Sequence, residues 1–236
     1  MKNLIVFGLF VLAMVLVQFV QAQTQTVDEI VDKYINALGG KEKMIALKTV
    51  KMEGSLSTQG IDITLTNTRS HGIGMRVDFE AMGTSNYRVA NTTKGSVFMP
   101  AMGMTAPDDM PEDQFKSAIN QMDLQGALCN YKEKGTSIEL IGKEMVEGAE
   151  ANNLKVTFKN GVITNYYIDS KTSRLVKSSS RQSMNGQEMD VVTSYADYRQ
   201  NGDGYWFPYS TTNQQGTIVY DKIQTNIPVD ESIYKN

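Results

Sequence analysis

An alternation of apolar and polar residues, which begins at Thr49 and recurs to Thr225, constrains the fold more than any other feature. In its first runs the apolar positions lie mostly two residues apart, as in strands with one buried face. Glycine, asparagine and serine separate the runs at intervals of about ten residues, which is typical of antiparallel strands joined by short turns. The apolar positions are Val50, Met52 and Leu56, then Ile61, Ile63 and Leu65, then Met75, Val77 and Phe79.

Further alternating runs bring the expected total to about 11–12 strands. The segment Lys-Asn-Gly-Val at residues 159–162 predicts a tight hairpin, in which Asn160 and Gly161 supply the positive φ angles. No internal repeat and no Pro/Ser-rich linker divides the chain, so we expect one domain over residues 23–236. These further runs are residues 87–91, 96–99, 138–141, 154–158, 163–168, 175–181, 189–198, 205–212 and 217–225.

Two helices are expected before the first strand. Residues 27–38 carry apolar side chains at helical spacing, Thr26 and Glu29 form a capping box, and Gly39-Gly40 ends the helix. A short second helix is expected over residues 41–47. The single apolar face of the first helix needs a sheet on which to lie.

The strand pattern breaks for about forty residues, and we expect an inserted loop and helix over about residues 99–135. The loop holds Met99, Met102, Met104 and Met110, four of the fourteen methionines in the chain. Pro111 then opens a helix, whose apolar stripe comprises Phe115, Ala118, Ile119 and Met122. Two interpretations stay open, since these methionines can line a mobile lid or belong to an ordinary surface loop with core-facing side chains.

The N-terminus has the pattern of a secretory signal. Lys2 precedes an apolar run over residues 4–17, and the small-residue site Val20-Gln21-Ala22 follows. We therefore expect cleavage after Ala22 and export to the periplasm, whereas the competing interpretation is an uncleaved membrane anchor. Because Gln23 follows the expected cut and no cysteine lies near it, we do not expect a lipoprotein.

The composition argues against nucleic-acid binding. Removal of residues 1–22 takes away Lys2 and no acid, which leaves 22 of the 23 basic residues against 26 acidic ones. A weakly acidic surface has no electrostatic attraction to nucleic acid or to anionic headgroups. Cys129 is the only cysteine, so it cannot form an internal disulfide, and we expect it to be a small, half-buried apolar residue.

Catalytic and metal motifs are missing from the sequence. His71 is the only histidine, and no Gly-x-Ser-x-Gly motif or phosphate-binding glycine loop occurs. One histidine and one cysteine do not make a typical zinc site. The acids Asp108, Asp109, Glu112 and Asp113 lie in or beside a helix start, where the helix dipole accounts for them. We therefore expect no enzyme and no cofactor, with His71 at a turn or strand edge.

Aromatic residues gather around the hairpin that contains the segment DYRQNGDGYWFPY. Tyr198, Tyr205, Trp206, Phe207 and Tyr209 lie within twelve residues of one another. They can be alternating core residues, or they can form the aromatic wall of a ligand groove.

The order of these segments resembles the LolA/LolB-like superfamily of periplasmic proteins, commonly described as outer-membrane lipoprotein-sorting proteins. The resemblance runs over nearly the whole mature chain and is carried by ALGGKEKMIALKTVKMEG (residues 37–54), YADYRQNGDGYWFPY and IPVDESIYK (residues 227–235). It implies a single open antiparallel β half-barrel around a hydrophobic cavity, with the N-terminal helix and the inserted lid helix over the concave face. No local motif matches Arg69, Arg76 or Arg88 to the lid-holding arginine of that family.

The resemblance also implies a carrier or binding protein that holds lipid or lipoprotein acyl chains without chemistry, a role in outer membrane biogenesis. A flexible methionine-rich cover suits chains of varied length. The alternatives are an envelope protein-interaction or sensor module that binds a protein or peptide, and a secreted hydrolase with an unrecognised site. The sequence does not define the oligomeric state. For the carrier we predict ligand contacts at Met99, Met102, Met104, Met110, Phe115, Ile119, Met122 and Trp206.

Overall fold

A computed structural model of the chain describes residues 25–58, 60–81, 83–184 and 187–235. The expected signal peptide, residues 1–22, lies outside the described residues. Within the described ranges, no helix combines the length and the apolar character needed to cross a bilayer.

The described residues form three α-helices: α1 (Val27–Ala37), α2 (Lys41–Ala46) and α3 (Glu112–Gln121). The capping box of α1 is confirmed, because the Glu29 carboxylate accepts from the Thr26 N–H at 2.8 Å and the Thr26 hydroxyl accepts from the Glu29 N–H at 3.2 Å. Pro111 precedes α3 as predicted. Two short 3-10 helices cover Pro100–Met102 and Glu231–Tyr234.

Within the described part of the chain, thirteen strands form one antiparallel sheet, and the expected mainly β fold is confirmed. The count exceeds the expected 11–12 because Asp108–Asp109, within the inserted segment, makes a two-residue strand at one edge. The strands are β1 (Thr49–Thr58), β2 (Ile61–Ser70), β3 (Gly74–Ala81), β4 (Thr84–Asn91), β5 (Gly95–Phe98), β6 (Asp108–Asp109), β7 (Ser137–Val146), β8 (Ala149–Thr157), β9 (Ile163–Asp169), β10 (Leu175–Met184), β11 (Gln187–Gln200), β12 (Trp206–Asn213) and β13 (Gly216–Thr225).

The sheet is an open half-barrel whose strand order is β6-β5-β4-β3-β2-β1-β13-β12-β11-β10-β9-β8-β7. The chain therefore runs outward from β1 to one edge at β6, crosses to the other edge at β7, and returns to pair β13 with β1. The crossing segment holds α3. This topology explains why the strand pattern breaks in the middle of the sequence.

One face of the sheet carries three of the four apolar clusters, and we call it the inner face. In the ladder, Leu65 stands opposite Gly54 on β1 and Phe79 on β3, so these residues share a face. Because successive strand residues point to opposite faces, the inner residues of β2 are the odd-numbered ones, from Ile61 to Arg69.

The helices cover one end of the inner face. Helix α1 packs Ile30, Val31, Tyr34 and Ile35 in a cluster with β8 and β9 residues such as Leu154. A second cluster joins β1, β2, β12 and β13, and a third lies beneath α3. Burial of a full aliphatic side chain is worth about 1.5–3 kcal/mol, so these clusters fix the helices to the sheet.

The turn at residues 159–162 differs from the expected tight hairpin. Gly161 has a φ of 84°, but Asn160 has no positive φ, and β9 begins only at Ile163. The Asn160 side chain is used instead to hold α3, since its amide donates to the Lys116 carbonyl and to Asn120 Oδ1, both at 3.1 Å. The sequence pattern could not anticipate this contact, because α3 lies forty residues away.

The C-terminal segment packs on the outer face. Tyr234 is 2% exposed, and its hydroxyl lies 2.9 Å from Ser70 Oγ. The Asn91 amide donates to the Tyr234 carbonyl at 3.2 Å. A Cβ added at Gly74 would lie 2.4 Å from Tyr234 Cγ, so only glycine at this position lets the ring approach the sheet.

Candidate functional site

Four of the predicted ligand-contact residues come together on the inner face. Met122 is buried with Met75, Ala90 and Ala118, and Met110, Phe115 and Ile119 pack around them. Gly95 on β5 makes this approach possible, because an added Cβ would meet the Phe115 ring at 3.0 Å. In the structure these four residues form the contact between α3 and the sheet, and their role toward a ligand stays a prediction.

Met99, Met102 and Met104 lie apart from this cluster, in the loop after β5. Met102 is 79% exposed, whereas Met99 and Met104 are half-buried. The buried side chain of Asn86 holds the loop, since its Oδ1 accepts from the Ala101 N–H at 3.2 Å. The loop is therefore attached to β4, with one methionine presented to solvent.

Trp206 lies neither in the cluster beneath α3 nor in the loop after β5. Its ring is half-buried beneath the Arg174 guanidinium, whose carbon is 4.0 Å from the ring centre. By contrast, Tyr205, Phe207 and Tyr209 from the same aromatic segment belong to the second cluster. The core interpretation thus describes these three residues, and a ligand contact at Trp206 stays a prediction.

The inner face is open at the end opposite the helices. Along β2 the inward residues become more exposed toward the β1–β2 turn: Leu65 is 5% exposed, Ile63 is half-buried and Ile61 is 44% exposed. Met189 on β11, 40% exposed, also points inward at this end, since its register places it on the face of Thr193 and Ser178. An apolar surface is therefore reachable from solvent at this mouth.

Sequence reasoning missed an arginine inside the half-barrel. Arg69 stands opposite Val50 and Met75, which are 1% and 6% exposed, on the inner face. Its Nε donates to Asn67 Oδ1 at 3.0 Å. Burial lowers the pKa of Arg69, although a guanidinium stays charged at any ordinary pH. The signal that could have identified it is the odd-residue alternation of β2, which puts Arg69 in the same row as Leu65.

Tyrosine hydroxyls surround the same interior. The Tyr195 hydroxyl lies 3.0 Å from Ser178 Oγ, and Tyr220 stands opposite Gly54 on the inner face. Burial raises the pKa of Tyr34, Tyr195 and Tyr220 above the usual value for tyrosine. These hydroxyls are therefore neutral and can donate or accept hydrogen bonds.

The charged residues on the inner face of β1 to β4 are all positive. The register places Arg69 and Arg88 on the inner face, and the Nε of Arg88 is buried without a partner among the described residues. Every acid of these four strands lies on the outer face by the same alternation. These acids are Glu53, Asp62, Asp78 and Glu80.

The remaining chemical groups have structural partners. Cys129 is buried, and burial raises the pKa of its thiol, so it is a poor nucleophile. His71 lies at the turn after β2, and its Nδ1 accepts from the Leu124 N–H at 3.2 Å. Within the described ranges, no three His, Cys, Asp or Glu side chains lie close enough to bind a metal ion together.

The sequence matches no protein-family model, and no curated protein matches it. The fold does match solved structures. A LolA superfamily protein from Nitrosomonas europaea has 12% identity and a TM-score of 0.56, over 90% of this chain and 98% of that chain.

Two further structures agree with this result. A putative outer membrane lipoprotein-sorting protein domain from Vibrio parahaemolyticus has 15% identity and a TM-score of 0.51, over 88% of this chain and 95% of that chain. A DUF1329 family protein from Desulfovibrio piger has 13% identity and a TM-score of 0.56, over 90% of this chain and 98% of that chain. At such identities the likeness concerns the fold, and this chain has the fold of the LolA superfamily proteins.

Proposed function

We propose that this protein is a periplasmic carrier or binding protein for lipid or lipoprotein acyl chains, which it holds on the inner face of the half-barrel without chemistry. The observation that carries the proposal is an apolar inner face that helices cover at one end and leave open at the other. Leu65, Ile63 and Ile61 form a continuous apolar row that leads from the interior to this mouth.

The energetics of such binding are favourable. Each methylene buried from water contributes about 0.8 kcal/mol, so ten methylenes offer about 8 kcal/mol before the costs of ordering are deducted. Binding of this kind needs apolar surface and shape rather than catalytic groups. The buried thiol of Cys129 and the hydrogen-bonded imidazole of His71 agree with this role.

We assign the loop that holds Met99, Met102 and Met104 to the cover of the ligand. Met102 exposes 79% of its surface, so its flexible side chain is free to contact a ligand. Helix α3 forms the fixed part of the cover, since Asn160 and the Gly72 N–H both hold it to the sheet.

A titration of the mature protein with a fluorescent acyl chain tests the proposal. We expect saturable binding that Ile63→Asp weakens at least tenfold, because a carboxylate on the inner row must be desolvated by the chain. Thr64→Asp is the matched control, since Thr64 is the next residue of β2, is exposed and points outward. A wild-type protein that takes up no acyl probe would refute the proposal whatever the variants do.

The alternative of a protein-interaction module calls for a free strand edge. The edge strand β7 exposes Ile141 and Met145, at 55% and 69%. However, a register shift between Leu140 and Gly142 interrupts it, and charged residues flank these side chains, as in edges protected against pairing. The inner face is therefore the better-supported site.

Localisation in the periplasm rests on the N-terminal pattern over residues 1–22. Expression of the full chain followed by cell fractionation tests it. We expect a shortened chain in the periplasmic fraction whose N-terminus is Gln23, whereas a full-length chain in the membrane fraction would favour an uncleaved anchor.

A further inference from the structure

A half-buried arginine without an ion-pair partner among the described residues lies in the interior of the half-barrel. Among the described residues, no carboxylate forms an ion pair with Arg69, and its only hydrogen bond runs from Nε to Asn67. The remaining four N–H groups of the guanidinium donate to no described residue. Buried charges in proteins are normally paired, because removing an ion from water is costly unless a partner compensates.

The surroundings of Arg69 do not supply the missing anion. Its cross-strand neighbours Val50 and Met75 are apolar. Tyr195 and Tyr220 interact electrostatically with the guanidinium, but their hydroxyls are neutral. Arg69 itself is half-buried, so part of its side chain stays reachable from the interior. A guanidinium offers parallel N–H groups that match the two oxygens of a carboxylate or phosphate.

The row of inward residues on β2 has the polarity of an amphiphile. From the covered end to the mouth it reads Arg69, Asn67, Leu65, Ile63 and Ile61. Two polar side chains are thus followed by three apolar ones, and exposure to solvent increases over the apolar part from Leu65 to Ile61. Arg88, on the same face, adds a second positive charge near the covered end, whereas the acids of β1 to β4 point outward.

We propose that Arg69, supported by Asn67, binds the anionic headgroup of a single-chain amphiphile, a carboxylate or a phosphate, whose acyl chain lies along Leu65, Ile63 and Ile61. The ligand then enters headgroup first, with its tail toward the mouth. This inference rests on the proposed function, since it names the class of acyl ligand that the same inner face takes.

Three ligands with the same sixteen-carbon chain test the proposal by displacement of a fluorescent acyl probe: hexadecanoate, hexadecyl phosphate and methyl hexadecanoate. We expect the wild-type protein to bind at least one of the two anions about tenfold or more tightly than the uncharged ester, the factor expected for a charge-assisted hydrogen bond. The anion that binds more tightly identifies the headgroup.

Variants separate headgroup binding from a structural role. Arg69→Gln is expected to abolish the preference for the anions while it leaves ester affinity within about twofold, and Arg69→Lys should keep part of the preference because it retains the charge. Arg181→Gln is the control, since Arg181 is 66% exposed and pairs with Asp190 on the surface. Its ligand preference should equal that of the wild type.

Stability of the empty protein gives an independent reading. Removal of an unpaired, half-buried charge should leave the melting temperature of Arg69→Gln unchanged or higher. Equal wild-type affinity for acid, phosphate and ester would overturn the headgroup site, as would an equal loss of affinity for all three in Arg69→Gln. If none of the three ligands binds to the wild type, the proposed function itself fails.

Discussion

Replacement of Ile61 by alanine at the mouth is the sharpest test of the inner face as an acyl surface. The change removes three carbons, worth about 2.4 kcal/mol at about 0.8 kcal/mol for each buried carbon. Only the exposed 44% of the side chain is available to a ligand, so binding should lose about 1.1 kcal/mol, or about sixfold in Kd.

Ile163→Ala is the matched control for this change. Ile163 is 48% exposed and lies near the start of β9, but its register opposite Thr157 places it on the outer face. Both variants should lower the free energy of unfolding by a similar amount, about 1.2–1.3 kcal/mol, because each isoleucine is about half buried in the free protein.

The assay is a titration with a fluorescent acyl probe, alongside urea unfolding of each variant. We expect the Kd to rise about sixfold for Ile61→Ala and to stay within twofold for Ile163→Ala. Equal changes in Kd for the two variants would show that affinity depends on the stability of the protein and not on contact between Ile61 and the acyl chain. The inner face would then be refuted as the acyl-binding surface.

Three further changes test other contacts. Gly74→Ala should destabilise the protein by about 1–3 kcal/mol because its Cβ would overlap Tyr234, and an unchanged melting temperature would contradict the tight packing of the C-terminal segment. Burial lowers the pKa of His71, so the contribution of this residue to stability should be complete above about pH 6.5 and fall as the pH drops toward the lowered pKa. The His71→Gln variant should lose this pH dependence in urea unfolding. A pH profile identical to that of the wild type would show that His71 does not cause it. Asn160→Ala removes two hydrogen bonds that hold α3, so proteolysis within α3 should become faster, and an unchanged cleavage rate would mean that the helix is held elsewhere.

Local patterns predicted much of the fold. The capping box at Thr26 and the alternation on β1 to β3 depend on neighbours in sequence, so they could be recognised without the structure. The pairing of β13 with β1 depends on contacts about 170 residues apart, and alternation alone does not say which face of a strand is buried.

The candidate site was likewise predictable only where local spacing defines it. The apolar stripe of α3 was predictable from helical spacing, and its members Phe115, Ile119 and Met122 do pack together. Arg69 was not, because an arginine in an alternating strand is normally assigned to the outer face. The alternation of β2 relates Arg69 to Leu65, but which face of the strand is buried became known only with the sheet register.

Native mass spectrometry of the mature protein, purified gently from the periplasm of its own cells, tests whether the half-barrel carries an acyl ligand. We expect a lipid or an acylated peptide to co-purify in stoichiometric amount and to be recovered by solvent extraction. A protein that is empty and also fails to take up a fluorescent fatty acid would contradict it.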